Sequence, residues 1–191
     1  MAGKQAKILS KTDEQELMLY AAATRYPARN TVIVLLSTRS GLRAGEIAKL
    51  TWDMVLTPSG EISHIVELHD TAAKKKSGRS IPIHVELQVA LKNLLRTSSG
   101  QGAVVQSERG GPMTPNSIVL WFNLAYRTIG LAGCSSHSGR RTFITRAARM
   151  VHRAGGSLRD VQLLAGHRSI QTTQRYIDGD SDAQRKLVAM L

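Results

Sequence analysis

Residues 32–36, Val32-Ile33-Val34-Leu35-Leu36, set five apolar side chains in a row without a polar gap. In a helix, such a run is apolar on every side, and a helix of that kind has to lie at the centre of a fold. Pro27 suits the first turn of the helix that carries the run, because a first turn leaves its N–H groups unused. Gly41 is placed to end that helix. A chain of 191 residues, 42% of them hydrophobic, has enough apolar surface to wrap it in one domain.

Most of the remaining pattern is helical. Thr12 to Gln15 reads as a capping box, followed by Leu17, Tyr20 and Ala21 on one face. A short helix spans about Arg43 to Leu50. Another starts near Val85, with Leu87, Leu91, Leu94 and Leu95 at helical spacing. Residues 98–112 form a Gly-rich connection. Pro115 opens a helix with Ile118, Phe122, Ala125 and Ile129 on its buried face. Ser135 or Ser136 can cap a helix that starts near His137 and breaks at Gly155-Gly156. Ser157 caps the next helix, which ends at Gly166, and Ser169 caps a short one that carries Tyr176.

Residues 52–84 change character. Trp52 to Leu56, His64 to Leu68 and Arg79 to His84 are rich in β-branched and aromatic residues, and Pro58-Ser59-Gly60 and Lys75-Lys76-Ser77-Gly78 supply turns. This predicts a three-stranded antiparallel sheet, with Pro82 assigning the third strand to an edge. The expected fold class is α+β, mainly α, with that small sheet, in one domain over residues 1–191.

Charge indicates the partner. Lys and Arg number 26 against 14 acids, a net charge of +12. A surplus of that size suits a polyanion, most often nucleic acid. It is also clustered: residues 135–176 hold eight arginines and one acid, Asp160, and a second cluster comprises Lys74, Lys75, Lys76 and Arg79. The single cysteine, Cys134, excludes an internal disulfide and reads as a small buried residue. No apolar run approaches the length of a membrane span and no signal peptide opens the chain, so the expected location is cytoplasmic, with the nucleoid.

Four stretches concentrate chemistry. In "SGLRAGE", residues 40–46, Arg43 follows a helix-ending glycine, and Glu46 shares its helical face and could orient it. A plain surface salt bridge is the competing reading. The lysine-rich turn, residues 74–76, presents cations stiffly from a sheet, or is a solvated hairpin tip. In "HSGRR", residues 137–141, His137 and Arg140 share the first turn of a helix, where free N–H groups and the dipole favour phosphate and arginine adds a bidentate donor. An ordinary basic helix fits too. In "GHRSIQTTQRYIDG", residues 166–179, Tyr176 stands nine residues after His167 amid polar neighbours, and two helices around a tight turn also suit a helix-turn-helix DNA reader.

In this order and spacing the chain, from about residue 8 to its end, resembles the catalytic domain of the tyrosine recombinases, the phage-integrase family. The family's Thr/Ser-Gly-Leu-Arg-x-x-Glu box reads here Ser40-Gly41-Leu42-Arg43-Ala44-Gly45-Glu46. Its β-turn lysine, eight residues before a strand proline, points to Lys74 before Pro82. Its His-x-x-Arg pair is His137 and Arg140. Its Leu-Gly-His element, with the tyrosine nine residues later, corresponds to Leu164-Ala165-Gly166-His167 and Tyr176. Two departures stand out: Ala165 is an extra small residue in that element, and Gly139 replaces a more usual leucine, a change expected to loosen the start of its helix.

The resemblance implies that Tyr176 attacks a DNA phosphodiester, giving a 3′-phosphotyrosine and a free 5′ hydroxyl. The covalent intermediate conserves bond energy, so rejoining needs no ATP. Arg43 and Arg140 would stabilise the developing phosphorane, Lys74 would protonate the leaving oxygen, and His137 would accept the tyrosine proton or hydrogen-bond the phosphate. His167 would be a second donor to the phosphate and position the tyrosine, with Glu46 supporting Arg43 from behind. Lys75, Lys76, Arg79, Arg141 and Arg168 are expected DNA contacts. No cofactor and no metal are expected. The implied partners are double-stranded DNA and further copies of the chain, as a tetramer on DNA, with residues 180–191 as an exchanged tail helix carrying an apolar edge of Leu187, Val188 and Leu191.

Two other functions fit part of the pattern. A helix-turn-helix regulator would read bases with residues 169–176 but gives no reason for Arg43 or His137. A type IB topoisomerase or protelomerase-like enzyme shares the chemistry; the nine-residue His-to-Tyr spacing and the small size favour a recombinase. The family commonly carries a further helical domain of roughly one hundred residues before the catalytic one, whereas here the first catalytic-domain helix is expected near residue 12.

Overall fold

The computed structural model describes residues 6–73, 77–176 and 188–190. The helix predicted from the apolar run is α2, Pro27–Arg39, with Pro27 in its first turn and Val32 to Leu36 essentially inaccessible. It packs against α1 (Lys11–Ala22), α3 (Ala44–Lys49), α4 (Val85–Leu95) and α6 (Ser138–Met150), and so forms the centre of the fold. Helix α5 (Pro115–Thr128) lies against α1 and α3. Its Ile118, Phe122 and Ala125 are buried as the periodicity requires.

Helix α1 starts earlier than its sequence suggests. Ser10 and Asp13 form the capping box, in place of Thr12 and Gln15. The cause is tertiary: Leu9 is buried, its N–H donates to Thr142 Oγ1 at 2.8 Å, and its carbonyl accepts from Arg146 Nη2 at 3.1 Å. The chain is thereby pinned to α6 at Leu9, and the helix begins at once. Glu14, buried one turn on, forms ion pairs with Arg39 of α2 and Arg146 of α6, which ties three helices at one carboxylate.

Among the described residues the sheet has two strands, not three: β1 (Ile65–Leu68) and β2 (Arg79–Pro82), antiparallel with Val66 opposite Ile81. Residues 52–54 form a 3₁₀ turn instead of a strand. Trp52 is fully buried, its N–H donates to the Gly102 carbonyl at 2.9 Å, and Val104 N–H donates to Leu50 O at 2.9 Å. The 102–104 loop thus engages the start of the expected strand, and the N–H groups of Met54, Val55 and Leu56 turn back onto the Thr51 and Trp52 carbonyls. A single bridge, Leu56 to Ile62 around the Pro58–Gly60 turn, is what remains of the predicted pairing.

After α6 a 3₁₀ turn (Val151–Ala154) leads through Gly155 to α7 (Leu158–Ala165), capped by Ser157 and Asp160 as a capping box. Helix α7 packs on β2, α6 and the short α8 (Ile170–Gln174). Ser169 holds the N-cap position of α8, but its hydroxyl bonds the Gln171 side chain rather than the backbone. Tyr176 lies in the turn after α8, not on it. A small second apolar cluster, Ile144, Ala148, Val161 and Ala165, joins α6 to α7. The expected tail helix lies mostly outside the described residues; Val188 and Met190 are exposed.

Candidate active site

Three stretches converge on one cleft of about 380 Å³, lined among others by Arg43, by His137, Arg140 and Arg141, and by His167 and Tyr176. Each is set by local chain geometry. After α2 the backbone turns at Gly41, whose φ of +63° favours glycine. A Cβ there would also sit 2.4 Å from Phe143 Cδ1. The turn delivers Arg43 to the N-cap position of α3 with extended backbone. Its Nη1 donates to Glu46 Oε1 at 2.6 Å and its backbone N–H to Glu46 Oε2 at 2.9 Å, so one carboxylate fixes both ends of the arginine.

Glu46 is buried beneath the cleft and also receives Arg79 Nη2 on Oε2 at 3.1 Å and Arg79 Nη1 on Oε1 at 3.3 Å. Burial alone would raise its pKa. The hydrogen bonds and charge of Arg79, then Arg43, overcome burial and hold it at about 2. The side chain of Arg79 is only 6% exposed, and its Nε donates to the Leu164 carbonyl at 2.8 Å. The expected DNA contact is therefore a strut joining β2, α3 and α7. Gly166, with φ +61°, ends α7 directly over it; a Cβ there would meet Arg79 Nη1 at 2.8 Å.

Arg140 sits in the first turn of α6 and is 3% exposed. Its Nη1 donates to the Gly41 carbonyl, and its Nη2 to the Ala165 carbonyl at 2.7 Å and to His167 Nε2 at 3.1 Å. Burial first, then the neighbouring Arg43, push its pKa down to about 10, so it is still a cation at neutral pH. Gly139 does not loosen this helix. It is buried where α6 crosses α2, and a Cβ would lie 2.3 Å from Ser37 Oγ and 3.1 Å from Thr38 Cγ2. Its missing side chain brings the start of α6, and Arg140 with it, close to α2.

His167 follows Gly166 and is held on several sides. Gln162 Nε2 donates to its carbonyl at 2.8 Å, and its Nδ1 lies 2.9 Å from Thr173 Oγ1. Burial first, then the cations Arg140, Arg43 and Arg79, push its pKa down to about 4, so the ring is neutral at neutral pH. The Tyr176 ring stacks on it with centroids 5.5 Å apart and planes 24° apart. Tyr176 is half-buried against the Ile144–Ala165 cluster, and its backbone N–H donates to Thr173 O at 3.0 Å. The stretch around it is less free than its polar composition suggests, because Thr173 is fully buried.

His137 takes the N-cap position of α6, exposed at the cleft with Arg140 one turn inside. Arg141 lines the cleft half-buried, and Arg168 is exposed after His167. Lys74, Lys75 and Lys76 lie outside the described residues. They belong to the β1–β2 connection, whose base is closed by Gly78 N–H donating to Asp70 Oδ1 at 2.8 Å. Sequence reasoning missed Thr173, Gln162 and the carbonyls of Gly41 and Ala165. Carbonyls leave no sequence signal; Thr173, three residues before Tyr176, was legible only as one more polar residue.

The family model described as the phage integrase family matches residues 7–182. The chain is 29% identical over 160 residues to "Tyrosine recombinase XerC" of Bradyrhizobium diazoefficiens, covering 81% of this chain and 47% of that protein. It is 26% identical to "Tyrosine recombinase XerC" of Herpetosiphon aurantiacus, covering 96% and 62%. In fold it is similar to the XerA recombinase, with a TM-score of 0.76 and 22% identity over 98% of this chain and 65% of that one. It is also similar to a lambda integrase dimer bound to a COC′ core site, with a TM-score of 0.71 and 18% identity over 95% and 50%. The chain spans about half the length of several of the curated relatives it matches. With a match covering nearly all of its residues, the chain belongs to the phage integrase family.

Proposed function

We propose that this chain is the DNA-cleaving and rejoining part of a site-specific recombinase that works through a 3′-phosphotyrosine intermediate. The observation that carries the reading is the convergence of Arg43, Arg140, His167 and Tyr176, from three separate stretches of the chain, on one cleft. A phosphodiester seated there meets two guanidiniums at its non-bridging oxygens. Arg43 is fixed by Glu46 and Arg140 by two carbonyls, so neither needs to reorganise as charge develops. Preorganised donors of this kind contribute roughly 10²–10³ each in rate.

Tyr176 is the nucleophile and attacks phosphorus, and the 5′ oxygen leaves. Free tyrosine has a pKa of about 10 and needs its proton taken. His137, exposed at the cleft, is the acceptor for it. Lys74 gives the leaving oxygen a proton. His167 is neutral and braces the tyrosine ring. Arg79 serves as a strut; Lys75, Lys76, Arg141 and Arg168 hold the flanking phosphates. Double-stranded DNA is the substrate, several copies assemble on it, and the site of action is the cytoplasm, on the nucleoid. Among the described residues no helix is long and apolar enough to cross a membrane. A helix-turn-helix reader gives no reason for Arg43, Arg140 and His167 to meet Tyr176 in one cleft.

A nicked suicide substrate, whose short fragment with the free 5′ hydroxyl diffuses away after cleavage, tests this directly. The chain should become covalently attached to DNA, and Tyr176→Phe should abolish attachment while leaving DNA binding within about twofold. Attachment that persists in the phenylalanine variant removes Tyr176 from the reaction.

A further inference from the structure

The imidazole of His167 is gripped at both nitrogens. A guanidinium has only N–H donors and no acceptor. The 3.1 Å approach of Arg140 Nη2 to Nε2 therefore requires a lone pair on Nε2. The neutral ring must then carry its proton on Nδ1, which donates to Thr173 Oγ1 at 2.9 Å. Thr173 has no solvent contact, so water cannot replace its hydroxyl. The same residue holds the tyrosine turn, because its carbonyl accepts the Tyr176 N–H at 3.0 Å. One residue of α8 thus touches the ring beside the phosphate-binding arginine and the backbone of the candidate nucleophile.

We propose that Thr173 is a positioning residue that locks His167 in the Nδ1–H tautomer and, through that bond, couples the Arg140–His167 pair to the seating of Tyr176. The lock dictates what His167 can offer. In the unliganded site Nε2 is an acceptor, satisfied by Arg140, and it becomes a donor only after taking up a proton. An anionic phosphate in the cleft favours that proton, because it offsets the surrounding guanidiniums. Two N–H donors cannot face each other, so Arg140 Nη2 gives up Nε2 and stays held by the Gly41 and Ala165 carbonyls. The imidazolium, its proton taken from solvent, then donates from Nε2 to the phosphate, and its Nδ1–H bond to Thr173 becomes charge-assisted and stronger. Phosphate occupancy then tightens the hold on α8 and on the turn that bears Tyr176. The part of this that concerns catalysis rests on the recombinase reading; the tautomer does not.

The test is ¹⁵N NMR of the His167 ring in the DNA-free chain at neutral pH, assigned with His167→Gln. Alongside it, covalent attachment to the suicide substrate is measured for Thr173→Val, Thr173→Ala and Thr173→Ser. The wild-type spectrum should show a protonated Nδ1 and an unprotonated Nε2. Valine keeps the shape of threonine without the hydroxyl, and should mix the tautomers and slow attachment by roughly tenfold to a hundredfold, the loss typical when the partner that orients a histidine is removed. DNA binding should change by less than about twofold in that variant. Serine should restore both tautomer and rate. If valine does not fold, alanine takes its place in the same comparison. A wild-type proton on Nε2 overturns the proposal while leaving Tyr176 attachment, and the recombinase reading, untouched. Unchanged tautomer and rate in valine or alanine also overturn it, as does a serine variant no better than valine. Wild-type chain with the Nδ1–H tautomer but no attachment overturns the recombinase reading and the coupling built on it, and leaves the tautomer lock standing.

Discussion

Replacing Glu46 with glutamine removes the charge that holds the cleft from below. The carboxylate is 1% exposed and receives Arg43 and Arg79. A pKa held at about 2 against an ordinary 4.5, at about 1.36 kcal/mol for each tenfold change in proton affinity, amounts to about 3 kcal/mol of stability tied to the charged form. The folded-state pKa lies below the unfolded one. The contribution is therefore fully present above about pH 4.5 and is lost as pH falls toward about 2. Glutamine keeps the shape but leaves two guanidiniums against a neutral amide, and removing one partner of a buried ion pair costs about 3–5 kcal/mol. At about 2–4 °C per kcal/mol for a domain of this size, the melting temperature should fall by about 6–12 °C. Urea unfolding of both chains from neutral pH down to about pH 3 measures the effect. The gap between them should be about 3 kcal/mol at neutral pH and should narrow on acidification. A gap below about 1 kcal/mol, the size of a surface pair, or one that stays constant with pH, would show that the Glu46 charge does not hold Arg43 and Arg79 in place.

Gly139→Ala should destabilise the chain by about 1–3 kcal/mol, net of the helix-propensity gain, because its Cβ would meet Ser37 Oγ at 2.3 Å; adding Ser37→Ala should recover most of the loss in thermal unfolding. A neutral or stabilising Gly139→Ala would mean the helix contact is not tight. Lys74→Ala should block cleavage of an ordinary phosphodiester yet leave cleavage of a substrate with a 5′-bridging sulfur, since a thiolate leaves without a proton. Rescue of Lys75→Ala or Lys76→Ala in its place would shift the proton donor along the turn.

The helices were legible because their signals are local. Pro27, the 32–36 run, Pro115 and the Ser157–Asp160 box each act within a turn or two of where they stand. The four motif segments were legible for a related reason: a reacting side chain has to be present in the sequence whatever holds it. What failed was decided by distant contacts. Trp52 has the composition of a strand, but the 102–104 loop takes its backbone. Thr12 can cap as well as Ser10, but Thr142 pins Leu9 and selects Ser10. Arg79 carries the same charge as any DNA-contacting arginine, and only the proximity of Glu46 and Leu164 assigns it to the interior. Gly139 reads as a weak start to a helix until α2 is seen against it.

In the proposed reaction Tyr176 becomes joined to a 3′ phosphate. The measurement that addresses it most directly is peptide mapping of the DNA-linked chain by mass spectrometry, with the DNA end identified on the same adduct. The expected result is a single linked peptide containing Tyr176, bonded to the 3′ end of the broken strand, with a free 5′ hydroxyl on the released fragment. Linkage at Tyr20, Tyr26 or Tyr126, or linkage to a 5′ phosphate, would contradict it.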